Sequence, residues 1–162
     1  MRKIIVGIVS VITFSCSTTN YYIVRHAEKE TQASNMSSDV SLSAAGMERA
    51  EALKNILQDK KIQSIFSTNT IRTKSTAKPI SDATGISIKV YDSRDTLFVS
   101  RLKNISKGNI LVVGHSNTVD DIINKLAGQN LLQDLPDSAY GDLFIVKKKG
   151  KKYSYSKSRF GK

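Results

Sequence analysis

Short apolar runs alternate with amphipathic segments along most of the chain. Apolar or β-branched runs lie at residues 21–24, 64–66, 86–91 and 109–113, and each has the length of a strand. The fourth run is continuously apolar and is bounded by glycines, as expected of a strand that is buried on both faces. The pattern therefore predicts four strands distributed along the first two thirds of the chain.

Four longer segments carry apolar residues at three- and four-residue spacing, which is typical of helices with one buried face. They are residues 41–58, 70–83, 96–105 and 117–127. Ser41 or Ser43 is suited to cap the first helix. Pro79 lies inside the second and is expected to kink or split it.

A hairpin completes the predicted elements. Its strands are residues 143–147 and 152–156, which are joined around Lys149-Gly150. Strands that alternate with helices predict a layered α/β sheet. The 162 residues suffice for one domain, and neither an internal repeat nor a linker divides them.

The formal net charge of +11 comes from the two ends of the chain. Arg2 and Lys3 lie at the start, and residues 147–162 contain eight Lys and Arg but no acid. The rest has 15 basic and 14 acidic side chains, which argues against a broad nucleic-acid-binding face. We interpret the basic terminal segment as a solvated edge hairpin with protective lysines, the alternative being a nucleic-acid or membrane arm.

The start of the chain has the pattern of an export signal. A basic start precedes a mostly apolar stretch at residues 4–14, which is shorter than the roughly 20 residues that span a bilayer. Cys16, the single cysteine, follows it, and the whole resembles a bacterial lipoprotein signal. The resemblance implies a signal peptide at residues 1–15, lipidation of Cys16, a polar tether at 16–20 and an exported domain at 21–162. A plain cleaved signal and an ordinary buried cysteine are the alternatives.

Polar residues with catalytic potential follow three of the predicted strands. Arg25 and His26 come directly after the first strand, and His115 follows the fourth. Arg72 lies just beyond the second strand, near a predicted helix N-terminus. His26 and His115 are the two histidines of the chain. In open α/β sheets, ligands bind at the carboxyl ends of strands, so we expect these side chains to converge there.

Two arginines and two histidines at one rim would form a pocket for an anion. Guanidinium groups hold phosphate oxygens with paired donors, and helix N-termini add oriented backbone N–H groups. A neutral imidazole in such a pocket can attack phosphorus. The cationic surroundings would stabilise charge on the phosphoryl group during its transfer.

Four motifs resemble the histidine phosphatase superfamily, and within it the short SixA-type phosphohistidine phosphatases. The motifs are Val24-Arg25-His26-Ala27-Glu28, Leu42…Gly46, Ser67-Thr68…Arg72-Thr73…Thr76-Ala77, and Gly114-His115-Ser116-Asn117. The resemblance implies a phosphoglycerate-mutase-like fold, a three-layer α/β/α sandwich with a mostly parallel central sheet. It also implies a phosphatase that needs neither a metal nor an organic cofactor.

The resemblance assigns roles to single residues. His26 resembles the nucleophile that becomes transiently phosphorylated. Its phosphate-holding partners would be Arg25, Arg72 and His115. Asn117 and Thr73 are expected beside the pocket, where they would add hydrogen bonds to the substrate. That substrate would be a phosphorylated small molecule or a phosphoprotein.

A proton donor to the leaving group is the part of the family pattern that this sequence lacks. Ser116 follows His115, where some members have an Asp. The middle segment offers Asp92 and Asp95 without a recognisable motif. Glu28, close to the nucleophile, is a further candidate for the acid or for substrate binding. The missing acid favours substrates with good leaving groups, such as phosphoramidates and aryl phosphates.

Three other functions fit parts of the pattern. A metal site on both histidines would lack an acid cluster, and Arg25 would repel a cation. A non-catalytic lipoprotein could keep the pocket to bind phosphate. A phosphoglycerate-mutase-type phosphotransferase is disfavoured by the short chain and the missing acid. We therefore predict an exported, lipid-anchored phosphatase with no nucleic-acid partner, and the sequence does not indicate an oligomeric state.

Overall fold

The computed structural model describes residues 18–31, 39–105, 108–136 and 138–161, which form one sheet and four helices. The strands are β1 (Thr18–Arg25), β2 (Ile62–Ser67), β3 (Ile88–Val90), β4 (Asn109–Gly114), β5 (Asp142–Lys149) and β6 (Lys152–Arg159). The helices are α1 (Ala44–Leu57), α2 (Ile71–Thr84), α3 (Phe98–Asn104) and α4 (Ser116–Ala127). Each predicted strand and helix is present.

The six strands form a single mixed sheet in the order β3-β2-β4-β1-β5-β6. The β3–β2, β2–β4 and β4–β1 pairs are parallel. The β1–β5 and β5–β6 pairs are antiparallel, and β5 and β6 form a hairpin at that side of the sheet. The predicted mostly parallel sheet is therefore confirmed.

Helices cover both faces of the sheet, and alternate strand residues supply the two cores. Val24 of β1 packs with Leu53 of α1 and Ile80 of α2 on one face. Its neighbour Ile23 packs with Ile123 of α4 on the other. Successive strand residues point to opposite faces, so a continuously apolar strand feeds both cores. The result is the expected three-layer α/β/α sandwich.

Strand β1 begins three residues before its predicted start. Thr18, Thr19 and Asn20 pair in register with Lys149, Lys148 and Lys147 of β5. These three polar residues are therefore strand rather than tether, because backbone hydrogen bonds to β5 compensate for weak local propensity. Cys16 and the predicted signal at residues 1–15 lie outside the described residues. Within the described part of the chain, no helix is long and apolar enough to cross a bilayer.

Helix α2 runs through Pro79 as one continuous helix, so the proline does not split it, which was one of the two predicted effects. Proline removes one N–H from the helix and usually costs about 3 kcal/mol there. Ala77 and Ile80 flank it in the chain, and both are buried in the core beneath the helix. Burial of this face keeps the turn helical.

The chain crosses the sheet in opposite directions after its two central strands. Strand β1 leads through α1 to β2, whereas β4 leads through α4 to β5, and these helices lie on opposite faces. Such a divergence opens a crevice at the carboxyl ends of the two strands. Arg25 pairs with Gly114 at this point, so His26 and His115 follow side by side.

Candidate active site

His26 lies at the carboxyl end of β1 with its ring held in one orientation. Its backbone N–H donates to the carbonyl oxygen of Gly114 at 2.9 Å. The ring Nδ1 lies 2.8 Å from the carbonyl oxygen of Ala27. Because a carbonyl oxygen only accepts, Nδ1 carries the proton and Nε2 carries the lone pair. The residue is 3% exposed, so little of the ring meets solvent.

His115 caps the N-terminus of α4 and faces His26. Its backbone N–H donates to the Thr118 hydroxyl at 2.9 Å, which fixes the first turn of the helix. Its ring Nε2 lies 2.9 Å from the hydroxyl oxygen of Thr68. The two imidazole centres are 5.4 Å apart, with their planes at 67°. Thr68, which sequence reasoning left without a role, therefore orients the second histidine.

Arg25 is held by a distant loop. Its Nη1 donates to the carbonyl oxygen of Pro136 at 3.0 Å, 111 residues further along the chain. Its Cζ lies 4.4 Å from the centre of the Tyr140 ring, which is itself 6.0 Å from the His26 ring. A cation over an aromatic face is stabilised, so Tyr140 positions the guanidinium. A tyrosine in a loop carries no sequence signal, and Tyr140 was missed.

Arg72 lies in the first turn of α2, beside Asp39, whose role the sequence did not reveal. Its Nη1 is 3.6 Å from the Asp39 carboxylate, which also accepts a backbone N–H at the start of the helix. The Thr76 hydroxyl donates to the carbonyl oxygen of Arg72 at 2.8 Å and accepts the N–H of Ala27 at 2.9 Å. One hydroxyl thus connects α2 to the loop that follows His26.

A cavity of about 500 Å³ opens where these side chains meet. Its lining consists of Arg25, His26, Lys29, Arg72, Ser93, His115, Ser116, Asn117 and Thr118. Arginine and lysine supply its charge, and no carboxylate lines it among the described residues. No group of three or more His, Cys, Asp or Glu is placed to hold a metal ion in that part of the chain. The charge and hydrogen-bond donors of the pocket are suited to a phosphoryl group.

Two of the predicted substrate-binding residues lie outside this lining. Thr73 is fully buried, and its hydroxyl donates to the carbonyl oxygen of Thr68 at 2.9 Å. Both carboxylate oxygens of Glu28 accept from Nε of Arg49 at 2.8 Å. A Cβ on Gly46 would lie 2.1 Å from the carbonyl oxygen of Glu28, so glycine allows this close approach. Both residues support the pocket from behind instead of lining it.

The candidate acids are all held as carboxylates. The backbone N–H and side chain of Arg94 lower the pKa of Asp92. The side chain of Arg101 likewise lowers the pKa of Asp95. Burial is the largest influence on the pKa of Glu28 and raises it, but the hydrogen bond and charge of Arg49, together with a backbone hydrogen bond, give a net lowering. None of the three is placed or protonated to serve the leaving group.

Burial and two nearby guanidinium groups keep both histidines neutral. For His26, burial is the largest cause, and Arg25 and Arg72 add to it against the opposing Ala27 carbonyl, so the pKa falls from 6.5 to about 4. Burial, followed by the same two arginines, also lowers the pKa of His115 to about 4. Near neutral pH, Nε2 of His26 therefore keeps the lone pair that a nucleophile needs.

NMR titration of the two imidazole rings should give pKa values near 4 in the free protein, because burial and the arginines disfavour both cations. A His115→Gln variant assigns the signals. The unfolded chain takes up protons near pH 6.5, so the free energy of unfolding should fall as pH drops from about 6.5 to about 4. Ordinary pKa values for both rings would contradict a buried, cationic site.

Comparison with known proteins agrees with the motifs. The model of the histidine phosphatase superfamily (branch 1) matches residues 21–95. That segment includes Arg25, His26 and Arg72, whereas His115 lies beyond it. No curated protein matches the sequence.

Solved structures share the fold over most of their length. A protein assigned as the phosphohistidine phosphatase SixA of Agrobacterium tumefaciens is 23% identical, with a TM-score of 0.70 over 88% of this chain and 99% of that one. A protein histidine phosphatase SixA complexed with tungstate is 17% identical, with a TM-score of 0.69 over 86% and 96%. A phosphoglycerate mutase from Bacillus anthracis is 13% identical, with a TM-score of 0.65 over 88% and 93%.

These matches bear on the fold and on the family resemblance. The phosphoglycerate-mutase-like fold is confirmed, and so is the resemblance to the histidine phosphatase superfamily. The family match supports a phosphatase as the class of activity.

Proposed function

We propose that this protein is a phosphatase that passes the phosphoryl group of its substrate first to His26 and then to water. The observation that carries the proposal is the contact between Nδ1 of His26 and the carbonyl oxygen of Ala27 at 2.8 Å. It leaves a neutral Nε2 as the nucleophile in a pocket lined by Arg25, Arg72 and His115. The family match supports the class of activity, and the steps below are our proposal.

In the first step, Nε2 of His26 attacks phosphorus opposite the leaving group. The lone pair of Nε2 forms the N–P bond, and the bond from phosphorus to the leaving group breaks with its electron pair on the departing atom. Arg25 and Arg72 hold the oxygens of the transferring group, whose charge they stabilise. His115, on the other side of the pocket, also holds the transferring phosphoryl group.

In the second step, water hydrolyses the phosphohistidine. A water oxygen attacks phosphorus, the N–P bond breaks, and its electron pair returns to Nε2 of His26. The proton of the attacking water passes to bulk solvent, and inorganic phosphate leaves. The same arginines stabilise charge in both steps, so one pocket serves the whole cycle.

The lining favours substrates whose leaving group needs little protonation. No carboxylate lines the cavity among the described residues, and the three candidate acids are ionised elsewhere. Aryl phosphates and phosphoramidates, including phosphohistidine in a protein, meet this condition better than alkyl phosphates. A phosphorylated small molecule and a phosphoprotein both fit this description.

A panel of phosphoesters separates this proposal from its two alternatives. We expect turnover of aryl phosphates and phosphoramidates, slower turnover of alkyl phosphates, and no effect of EDTA. A non-catalytic anion-binding protein would bind inorganic phosphate without turnover of any compound. A mutase-type phosphotransferase would isomerise a phosphoglycerate instead of releasing phosphate, and either result would contradict the proposal.

We further propose that the protein is exported and carries a lipid on Cys16. The support is the sequence pattern at the start of the chain, since residues 1–17 lie outside the described part. Strand β1 begins at Thr18, so one residue separates Cys16 from the sheet. A lipid at that position would keep the folded domain close to the membrane surface.

A further inference from the structure

We propose that the end of the sheet opposite the active site docks on an anionic lipid bilayer. Six exposed lysines define this surface, which we call the basic edge. They are Lys60, Lys61, Lys147, Lys149, Lys151 and Lys152. Clusters of 4–8 Lys or Arg near a membrane attachment point are the usual recognition element for anionic headgroups.

Backbone pairing brings these lysines together from two parts of the chain. Lys149 lies opposite Thr18, the first residue of β1, and the hairpin turn follows at Gly150. Lys60 enters from the α1–β2 turn, where its carbonyl oxygen accepts from the side chain of Asn109. The Asn109 side-chain oxygen in turn accepts the backbone N–H of Asn20 at 2.9 Å. The amino ends of β1, β2 and β4 are thus level with the hairpin tip.

Protection of a sheet edge does not explain this cluster. Edge strands use lysines to block pairing with other chains. Lys147 and Lys149, however, lie on β5, which pairs with β1 on one side and β6 on the other. An internal strand needs no such protection, so the earlier interpretation of the hairpin lysines accounts for β6 alone.

Acidic residues do not neutralise the basic edge. None of its six lysines forms a salt bridge with another residue in the described ranges. One exposed acid, Asp59, is adjacent to Lys60 in the chain. It offsets at most one of the six positive charges, so the surface remains strongly positive. Asp142, the acid of the hairpin, pairs with Lys157 at 2.8 Å near the other end of the sheet. The charge is therefore available to an anionic surface.

The covalent path of the chain leads to the same surface. The apolar stretch at residues 4–14 and Cys16 precede Thr18, which lies beside Lys149. A lipid on Cys16 would hold the basic edge close to the bilayer, where its positive charge adds to binding. This proximity is why we choose a bilayer over a nucleic acid.

This orientation would leave the active site open to bulk solvent. Strand β1 has 8 residues, so at about 3.3 Å per residue its two ends lie about 25 Å apart. Thr18 begins at the basic edge, and His26 follows the opposite end. A docked domain would present its pocket away from the membrane, toward dissolved substrates.

Vesicle partitioning of the full chain tests the proposal. The Cys16→Ser background prevents lipidation, and the readout is the ratio of binding to equimolar phosphatidylcholine–phosphatidylglycerol vesicles over binding to pure phosphatidylcholine. This ratio cancels apolar binding by residues 4–14. Lys149→Gln/Lys151→Gln should lower it by about 25-fold, since each lysine near an anionic surface contributes about fivefold, or about 1 kcal/mol. High salt should lower the wild-type ratio as well.

A matched pair of exposed lysines far from the basic edge controls for net charge. Lys78→Gln/Lys89→Gln removes the same charge from α2 and β3 and should leave the ratio within about twofold of wild type. Phosphatase activity of both double variants should equal that of wild type, which excludes misfolding. Equal loss in both variants, or no preference of wild type for anionic vesicles, would overturn the proposal. So would lysine-dependent binding to RNA but not to vesicles.

Discussion

Replacement of His26 by alanine should reduce turnover of an aryl phosphate by roughly 10⁴-fold or more. Loss of a nucleophile removes the covalent pathway, and nucleophile deletions in well-studied hydrolases have effects of this size. The measurement is single-turnover kinetics with enzyme in saturating excess over substrate, which isolates the chemical steps. Turnover equal to wild type would contradict the assignment of His26.

A variant of the second histidine is the matched control. His115→Gln keeps the nucleophile and removes one group that stabilises charge, so we expect a smaller loss of about 10²-fold to 10³-fold. Inorganic phosphate should still bind to the His26→Ala variant, because Arg25 and Arg72 remain. Retained binding shows that the loss of turnover is chemical and does not come from a collapsed pocket.

Replacement of Arg72 by alanine should lower kcat/KM by roughly 10²-fold to 10³-fold. Arg72 lines the cavity from the first turn of α2, where its guanidinium would hold phosphoryl oxygens with paired donors. Arg72→Lys should recover part of the loss, since an ammonium keeps the charge but not the planar fork. Steady-state kinetics of both variants tests this order.

An arginine outside the pocket provides the comparison for Arg72. Arg101 lies on α3 and is hydrogen-bonded to Asp95, away from the cavity lining. Arg101→Ala should leave kcat/KM within about twofold of wild type, as expected of an exposed ion pair. Equal losses for Arg72→Ala and Arg101→Ala would mean that Arg72 acts through general charge and does not hold the phosphate.

The placement of the candidate site residues could be predicted because it follows from local patterns. Arg25 and His26 directly follow an apolar strand, and His115 follows another, so the parallel sheet alone brings them to one edge. Helix starts were predictable for the same reason, since Ser43 and Thr70 cap α1 and α2 with their side chains. A strand end and a helix cap are each defined within a few neighbouring residues.

Residues that act through long-range contacts could not be predicted. Tyr140 reaches Arg25 from a loop after α4, and Asp39 reaches Arg72 from the segment before α1. Thr68 belongs to the motif that contains Arg72, but its hydrogen bond to His115 joins residues that are 47 apart in sequence. Glu28 follows His26 closely, yet its carboxylate turns to Arg49 on α1. Only the packed fold determines which of these side chains meet.

The start of β1 also depends on a long-range contact that the sequence does not reveal. Thr18, Thr19 and Asn20 resemble a polar tether by composition, but β5 pairs with all three. That pairing also assembles the basic edge, because the register places Lys147, Lys148 and Lys149 beside the start of the chain. The sequence therefore revealed the lysines but not their position opposite the active site.

Trapping of the phosphorylated enzyme tests most directly the central claim that His26 accepts the phosphoryl group. After rapid mixing with an aryl phosphate and a denaturing quench, mass spectrometry should place one phosphoryl group on His26. That adduct should be labile in acid and stable in alkali, and it should be absent from His26→Ala but still form, more slowly, in His115→Gln. Wild-type turnover without a phosphoryl group on His26, or with an acid-stable adduct on another residue, would contradict the account.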